Sequence, residues 1–198
     1  MCQKFKAVPL AGSRCSHKGE AVQVGDYVIH TGGTMYMTSS DLDRFDVLLP
    51  LTGCKELDFG KTYQFVGAPE DADIETRRKQ PSGITPLSPG RQYTILAAPL
   101  VDFGGLPENW KEFLQEQVIP LLASGKTVLG FRIGSHGRTG TLVASLIALL
   151  EPDVADPVAE ARRRHCHHAV ETRAQAAGIF ALRGQDLPEH YQTAGFVR

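Results

Sequence analysis

Residues 127–150 read TVLGFRIGSHGRTGTLVASLIALL, and their pattern changes twice. Thr127–Phe131 is a short aliphatic and β-branched run, the pattern of a buried strand. Arg132 to Gly137 interrupts it with two glycines, a serine and a histidine. From Arg138 to Leu150 the apolar residues return at helical spacing. Gly134 and Gly137 let successive backbone N–H groups turn inward. The helix start adds free donors and partial positive charge. Arg138 adds a planar fork that matches two phosphate oxygens. A phosphate-sized anion is therefore expected on Ile133, Gly134, Ser135, His136, Gly137 and Arg138.

Further strands are expected at Asp26–His30, Phe45–Leu51, Tyr63–Val66 and Tyr93–Leu100. Pro107–Ala123 places Trp110, Phe113, Leu114, Val118, Leu121 and Leu122 on one helical face, with Pro120 bending it or marking its last turns. Asp156-Pro157 opens a helix through about Ala169, and another runs from about Glu171 to Arg183, stopped by Gly184. The Pro-, Gly- and charge-rich stretch from 70 to 90 reads as a surface helix and loop. Strands first, then alternating helices, argue an α/β fold: a three-layer α/β/α sandwich around a mostly parallel sheet. Residues 1–198 are read as a single domain, a length that buries a proper core.

Two phosphate-loop patterns compete. The nucleotide-binding pattern needs a glycine five residues before its Gly-Lys-Ser/Thr step, but Arg132 stands there and the lysine is missing. The alternative, His-Cys-x5-Arg-Ser/Thr-Gly, matches Arg138-Thr139-Gly140 and the glycine spacing. The segment resembles the cysteine-dependent protein tyrosine/dual-specificity phosphatase superfamily, with Phe131 in place of the histidine and Arg132 in place of the nucleophilic cysteine. Thirty residues upstream, Pro99-Leu100-Val101-Asp102-Phe103-Gly104-Gly105-Leu106-Pro107 resembles the family's general-acid loop. Downstream, Ala169–Gln175 resembles the segment carrying a water-positioning glutamine, and Phe45–Leu51 a core strand. The likeness is specific over about residues 94–150.

The resemblance assigns roles. Arg138 clamps the phosphate, Asp102 protonates the leaving group, Thr139 steadies a thiolate, Gln175 positions water, and position 132 carries the nucleophile. No metal and no organic cofactor are implied, since loop amides and Arg138 supply the electrostatics. The partner is a phosphorylated protein or a small phosphoester. Arg132 cannot attack phosphorus, because a guanidinium stays protonated and has no free lone pair. Six residues after Cys2, Cys15, Cys54 and Cys166 stand Val8, Ala21, Gly60 and Thr172, so no other cysteine opens such a loop. Arg132 then marks a natural pseudophosphatase, an inactivated enzyme, or a module that only binds. Intact Asp102 and Arg138-Thr139-Gly140 favour inactivation.

Composition adds exclusions. A hydrophobic fraction of 42% and a net charge of −1 describe an ordinary globular protein with no global pull toward nucleic acid or anionic lipid. Arg162-Arg163-Arg164 lacks an aromatic stacking platform and reads as a solvated helix face. His165-Cys166-His167-His168 reads as a solvated helix end, since only His165 and His168 share a face and no second ligand cluster follows. Cys15 with His17 and Cys2 makes a still weaker metal pattern. The N-terminus has no signal-peptide core and no apolar run is long enough to span a bilayer, so a reducing cytoplasm is expected.

Overall fold

The computed structural model describes residues 15–52, 57–78, 84 and 87–193. Cys2, Cys54 and part of the stretch between 70 and 90 lie outside the described residues. The described chain opens with a hairpin, β1 (Lys18–Val24) and β2 (Tyr27–Gly33). The short α1 (Ser39–Leu42) leads to β3 (Val47–Pro50), β4 (Thr62–Val66), α2 (Ile74–Arg78) and β5 (Gln92–Leu96). Next, α3 (Trp110–Phe113), a π-helical turn (Leu114–Val118) and α4 (Ile119–Ala123) follow one another without a break. β6 (Val128–Arg132) and α5 (Gly137–Leu150) flank the glycine loop. Three helices follow: α6 (Pro157–Arg164), α7 (Arg173–Ala181) and α8 (Glu189–Thr193).

One sheet runs in the order β1-β2-β6-β3-β5-β4. β2, β6, β3 and β5 are mutually parallel, and β1 and β4 are antiparallel edges. This is the expected α/β class with a mostly parallel sheet. The layers are unequal. The larger core packs the sheet against α3 to α8, whereas the other face is covered by α1 and connecting residues such as Leu57 and Leu87. β1 escapes the sequence pattern because Lys18, Glu20 and Gln23 dilute its apolar residues, leaving Val22 and Val24 to face the core. The expected long helix over 107–123 widens into the π-turn just before Pro120. Pro120 offers no N–H and its ring crowds the preceding turn, so a locally wider turn relieves both problems.

α5 fixes the height of the loop. It is buried from Gly137 to Ala148, and each of Leu142, Leu146 and Ile147 contributes about 1.5–3 kcal/mol by burial. Trp110 Nε1 donates to Ser145 Oγ at 3.0 Å inside this core. Two glycines permit the close approach. A Cβ on Gly130 of β6 would lie 2.5 Å from Leu142 Cδ2, and one on Gly140 would lie 2.5 Å from both Cα and Cβ of Ala169.

Within the Arg162–Arg164 run only Arg163 is exposed as a solvated face requires, while Arg162 and Arg164 turn inward. Arg162 donates to the carbonyls of Ala169 and Val170 at 3.0 and 3.1 Å. Arg164 forks onto Glu151 at 2.6 and 2.7 Å and reaches Glu160 at 2.6 Å. The long apolar stems let these side chains lie inward while each head finds a partner. The run ties α6 to the end of α5 and to the segment after it.

Gly140→Ala should cost about 1–3 kcal/mol in urea melts through overpacking. Gly105→Ala, whose nearest neighbour would be 3.8 Å away, should stay within about 0.5 kcal/mol. Acid offers a second check. Hydrogen bonds from Arg163 first, and from Arg164, pull the Glu160 carboxyl from 4.5 down to about 2. The folded chain then holds fewer protons than the unfolded one in this window. This stabilisation is full above pH 4.5 and lost as pH falls toward 2, at most roughly 3 kcal/mol. Glu160→Gln should flatten that part of the stability curve, and an unchanged slope would count against the network.

Candidate functional site

The loop between β6 and α5 is braced by backbone and by a half-buried imidazole. Thr34 and Met35 donate N–H groups to the carbonyls of Arg132 and Ile133 at 2.8 and 3.2 Å. Ser135 sits at φ 58°, left-handed for a residue with a side chain. Its carbonyl lies 2.9 Å from His165 Nε2. That nitrogen must carry the proton, so Nδ1 accepts from the Thr31 hydroxyl at 3.2 Å. Burial first, then nearby His17, pulls His165 down to about 3, so it braces the loop as a neutral ring. The first helical bond to the loop is Gly140 N–H to the His136 carbonyl at 2.7 Å. Earlier N–H groups of α5 have no intrahelical partner, and that of Gly137 is directed at the Glu171 carboxylate.

Distant side chains converge there. Arg138 is buried and donates through one terminal nitrogen to the carbonyls of Leu51 and Leu100 at 3.3 and 3.2 Å. Its Nε lies 3.3 Å from Asp102 Oδ1. Arg132, only 15% exposed, reaches the same Asp102 oxygen at 3.7 Å and Glu171 Oε2 at 3.8 Å. Burial first, and then Arg132, lowers the Arg138 pKa. Burial first, and then Asp102, raises the Glu171 carboxyl.

Among the described residues, six buried side-chain polar atoms lack a hydrogen-bond partner: Arg132 Nε, Ser135 Oγ, Arg138 Nε, Thr139 Oγ1, Glu171 Oε2 and His17 Nε2. The first five surround this loop. Each such group costs about 1–3 kcal/mol when left dry, so native folds keep few of them. Four of the five can donate to an oxyanion. An arrangement of guanidinium, hydroxyl and helix-start N–H donors around one hollow is chemically suited to phosphate.

The expected residues fall into three groups. Asp102, Arg132 and Arg138 come together at the loop, where Ser135, Gly137 and Thr139 are buried, Gly134 is half-buried and Ile133 is exposed. His136 faces the Cys166 sulfur at 3.3 Å, and burial first, then neighbouring imidazoles and Arg132, pulls it down to about 4. Gln175 is buried, and its amide oxygen accepts from the N–H groups of Glu171 and Thr172 at 2.8 and 3.2 Å, closing the capping box of α7. The run 165–168 is not a solvated helix end, because α6 stops at Arg164 and Cys166 is buried.

Glu171 is the site residue that sequence reading did not single out. A Cβ on Gly137 would meet its Oε2 at 1.9 Å, so the carboxylate lies directly over the loop. Val170 before it is held at φ 60°, a strained position for a β-branched residue. The Arg162 fork on the carbonyls of Ala169 and Val170 keeps it there.

Solved protein tyrosine phosphatases share this backbone. Tk-PTP in its active form matches with a TM-score of 0.53 at 20% identity, covering 82% of this chain and 95% of that one. The fold is that of the protein tyrosine phosphatases. The kinase-associated phosphatase KAP, solved with its catalytic-site cysteine substituted by serine, matches at 0.52 and 12% identity over 82% of this chain and 92% of its own. TbPTP1 of Trypanosoma brucei matches at 0.54 and 14% identity over 89% and 75%. No protein-family model and no curated protein matches the sequence. At these identities the likeness speaks for the fold, and the site stands on its own geometry.

Glu171→Gln tests that geometry. It removes one of two carboxylates competing for the arginine pair, so tungstate, a phosphate-like oxyanion, should bind about three- to tenfold tighter by calorimetry. Unchanged affinity would mean that Glu171 does not compete for the anion.

Proposed function

We propose that this chain is a phosphatase-fold domain that takes a phosphate ester at loop 132–138 and is disabled as a catalyst by Arg132. One observation carries this reading. Asp102, Arg132 and Arg138 come from the turn after β5, the end of β6 and the start of α5, yet all three meet at Asp102 Oδ1, within 3.7 Å. A general acid, a phosphate clamp and a nucleophile would have to converge in this way at a phosphoryl-transfer site, and that convergence supports the reading.

With a cysteine at 132 the chemistry would run in two steps. The thiolate, steadied by the helix start and the Thr139 hydroxyl, attacks phosphorus and forms a phosphocysteine. The bond from phosphorus to the ester oxygen breaks, and the Asp102 carboxyl delivers its proton to that oxygen. Water then hydrolyses the phosphocysteine, with Asp102 taking back a proton. Arg138 and the loop N–H groups hold the phosphoryl oxygens throughout. Arg132 supplies no electron pair for the first step, and its guanidinium extends toward the two carboxylates where the phosphoryl group would sit.

The substrate class is a phosphorylated protein or small phosphoester. Val101 and Phe103 flank Asp102, and Met35 bonds through its N–H to Ile133; all four are large apolar side chains exposed at the mouth. Such a rim supports an ester with an apolar or aromatic leaving group. No helix of the described residues is long and apolar enough to cross a membrane.

A binding-only module is the second reading. It is favoured by the buried Arg132 Nε, a donor without a partner at the anion hollow. One experiment separates the two: hydrolysis of an aryl phosphate by the chain as it stands, by Arg132→Cys, and by Arg132→Cys with Asp102→Asn. A disabled phosphatase predicts turnover only with the introduced cysteine, falling roughly hundredfold or more when Asp102 is neutralised. No turnover in any form, with tungstate still bound by the unaltered chain, would replace this reading by the binding module.

A further inference from the structure

Five of the seven histidines, His17, His136, His165, His167 and His168, gather with two cysteines beside the phosphate loop. Four residues of this group come from three places in the chain. Cys15 and His17 precede β1, His136 is the N-cap of α5, and Cys166 follows α6. Their ligand atoms all lie within 4.8 Å of one another. Cys15 Sγ is 3.5 Å from Cys166 Sγ, and His136 Nδ1 is 3.3 Å from Cys166 Sγ. Zinc bonds of about 2.3 Å to sulfur and 2.0–2.1 Å to nitrogen place neighbouring tetrahedral ligands roughly 3.3–3.8 Å apart. These two separations fall in that range, and the sulfurs are much further apart than the ~2.05 Å of a disulfide.

Hydrogen bonding among thiols and imidazoles does not account for the cluster. His17 is only 5% exposed, and its Nε2 is buried with no partner. Its ring stands edge-on to His136, with centroids 5.1 Å apart. Its other nitrogen, Nδ1, lies 3.7 Å from a carboxylate oxygen of Glu20. Carboxylate, imidazole and a free nitrogen in that order is how proteins orient a metal-binding histidine. A divalent cation with two thiolates and two neutral imidazoles is electrically neutral overall, so burial leaves no uncompensated charge. Two soft sulfurs with two imidazoles select zinc over magnesium or calcium.

We propose that Cys15, His17, His136 and Cys166 form a closed tetrahedral zinc site that fastens the N-terminal edge and the end of α6 to the phosphate loop. Glu20 is its positioning residue. With four protein ligands the metal has no open position, so its role is structural: it fixes His136 and with it the exit of the loop. The site is independent of whether residue 132 supports catalysis.

The test uses the full chain, purified under a thiol reductant and without a metal-affinity tag. Elemental analysis should find about one zinc per chain. The cobalt-substituted chain should show thiolate-to-cobalt bands in the near ultraviolet and the strong visible bands of tetrahedral cobalt. Glu20→Gln, a change at an exposed position, should weaken zinc about 10- to 100-fold in a chelator competition. His17→Ala should abolish the cobalt bands while its circular dichroism stays folded. A reduced, folded chain that takes up neither zinc nor cobalt overturns the proposal. So does a Cys15–Cys166 disulfide that forms equally well in His17→Ala, since a disulfide needs no histidine.

Discussion

Two like charges are carried into one small hollow, and the rest of the site is arranged around making that tolerable. Arg132 and Arg138 would repel strongly at the low polarity of a buried pocket. Asp102 and Glu171 offset them, each from a different side. None of the three ion pairs among them is a tight fork, the closest being 3.3 Å. Loose pairs at a surface are worth little, but buried ones left without a partner are costly. The quartet therefore has strong reason to stay together and little to hold any one partner in place. On the proposed reading, a doubly charged ester entering the hollow would compete with the carboxylates for the same cations.

The carboxylates keep their places through backbone. Arg138 anchors itself to the Leu51 and Leu100 carbonyls, the latter two residues before Asp102 in the connection after β5. Glu171 depends on a longer chain of causes. α5 approaches Ala169 so closely that Gly140 is required, Arg162 holds the two carbonyls at 169 and 170, and Val170 accepts a strained φ of 60°. Strain of this kind persists only where surroundings over-determine it. It brings a carboxylate over Gly137 that no local pattern would place there.

That difference also explains what the sequence could tell. Strand, loop and α5 were legible because each is a local pattern, and Arg138 because its place is fixed by loop spacing. Asp102 was legible only through likeness to a family whose acid stands at that distance. Glu171 was not, since its position follows from a backbone conformation that valine disfavours. Arg162 and Arg164 looked solvated because charge predicts exposure on average, and here the heads found carbonyls and Glu151 instead. Cys15 and Cys166 are 151 residues apart, and His136 and Cys166 30, so no spacing rule could have joined them. The fold brings them together by laying the β1 hairpin beside β6.

The loop's shape owes little to the side chain at 132. Its supports are the Ser135 carbonyl on His165, the Arg132 and Ile133 carbonyls on Thr34 and Met35, the start of α5 against Ala169, and the metal site proposed at His136. Each acts through backbone or through a residue other than 132. Exchanging that one side chain therefore changes what fills the hollow without moving its walls. Arg132 remains partly exposed toward solvent and finds two carboxylates ready to receive it. An arginine there is tolerated for the same reason a phosphate would be attracted: the hollow offers opposed charges and free donors to whatever enters. The shape of the hollow and the identity of the side chain at 132 are thus separable in this fold.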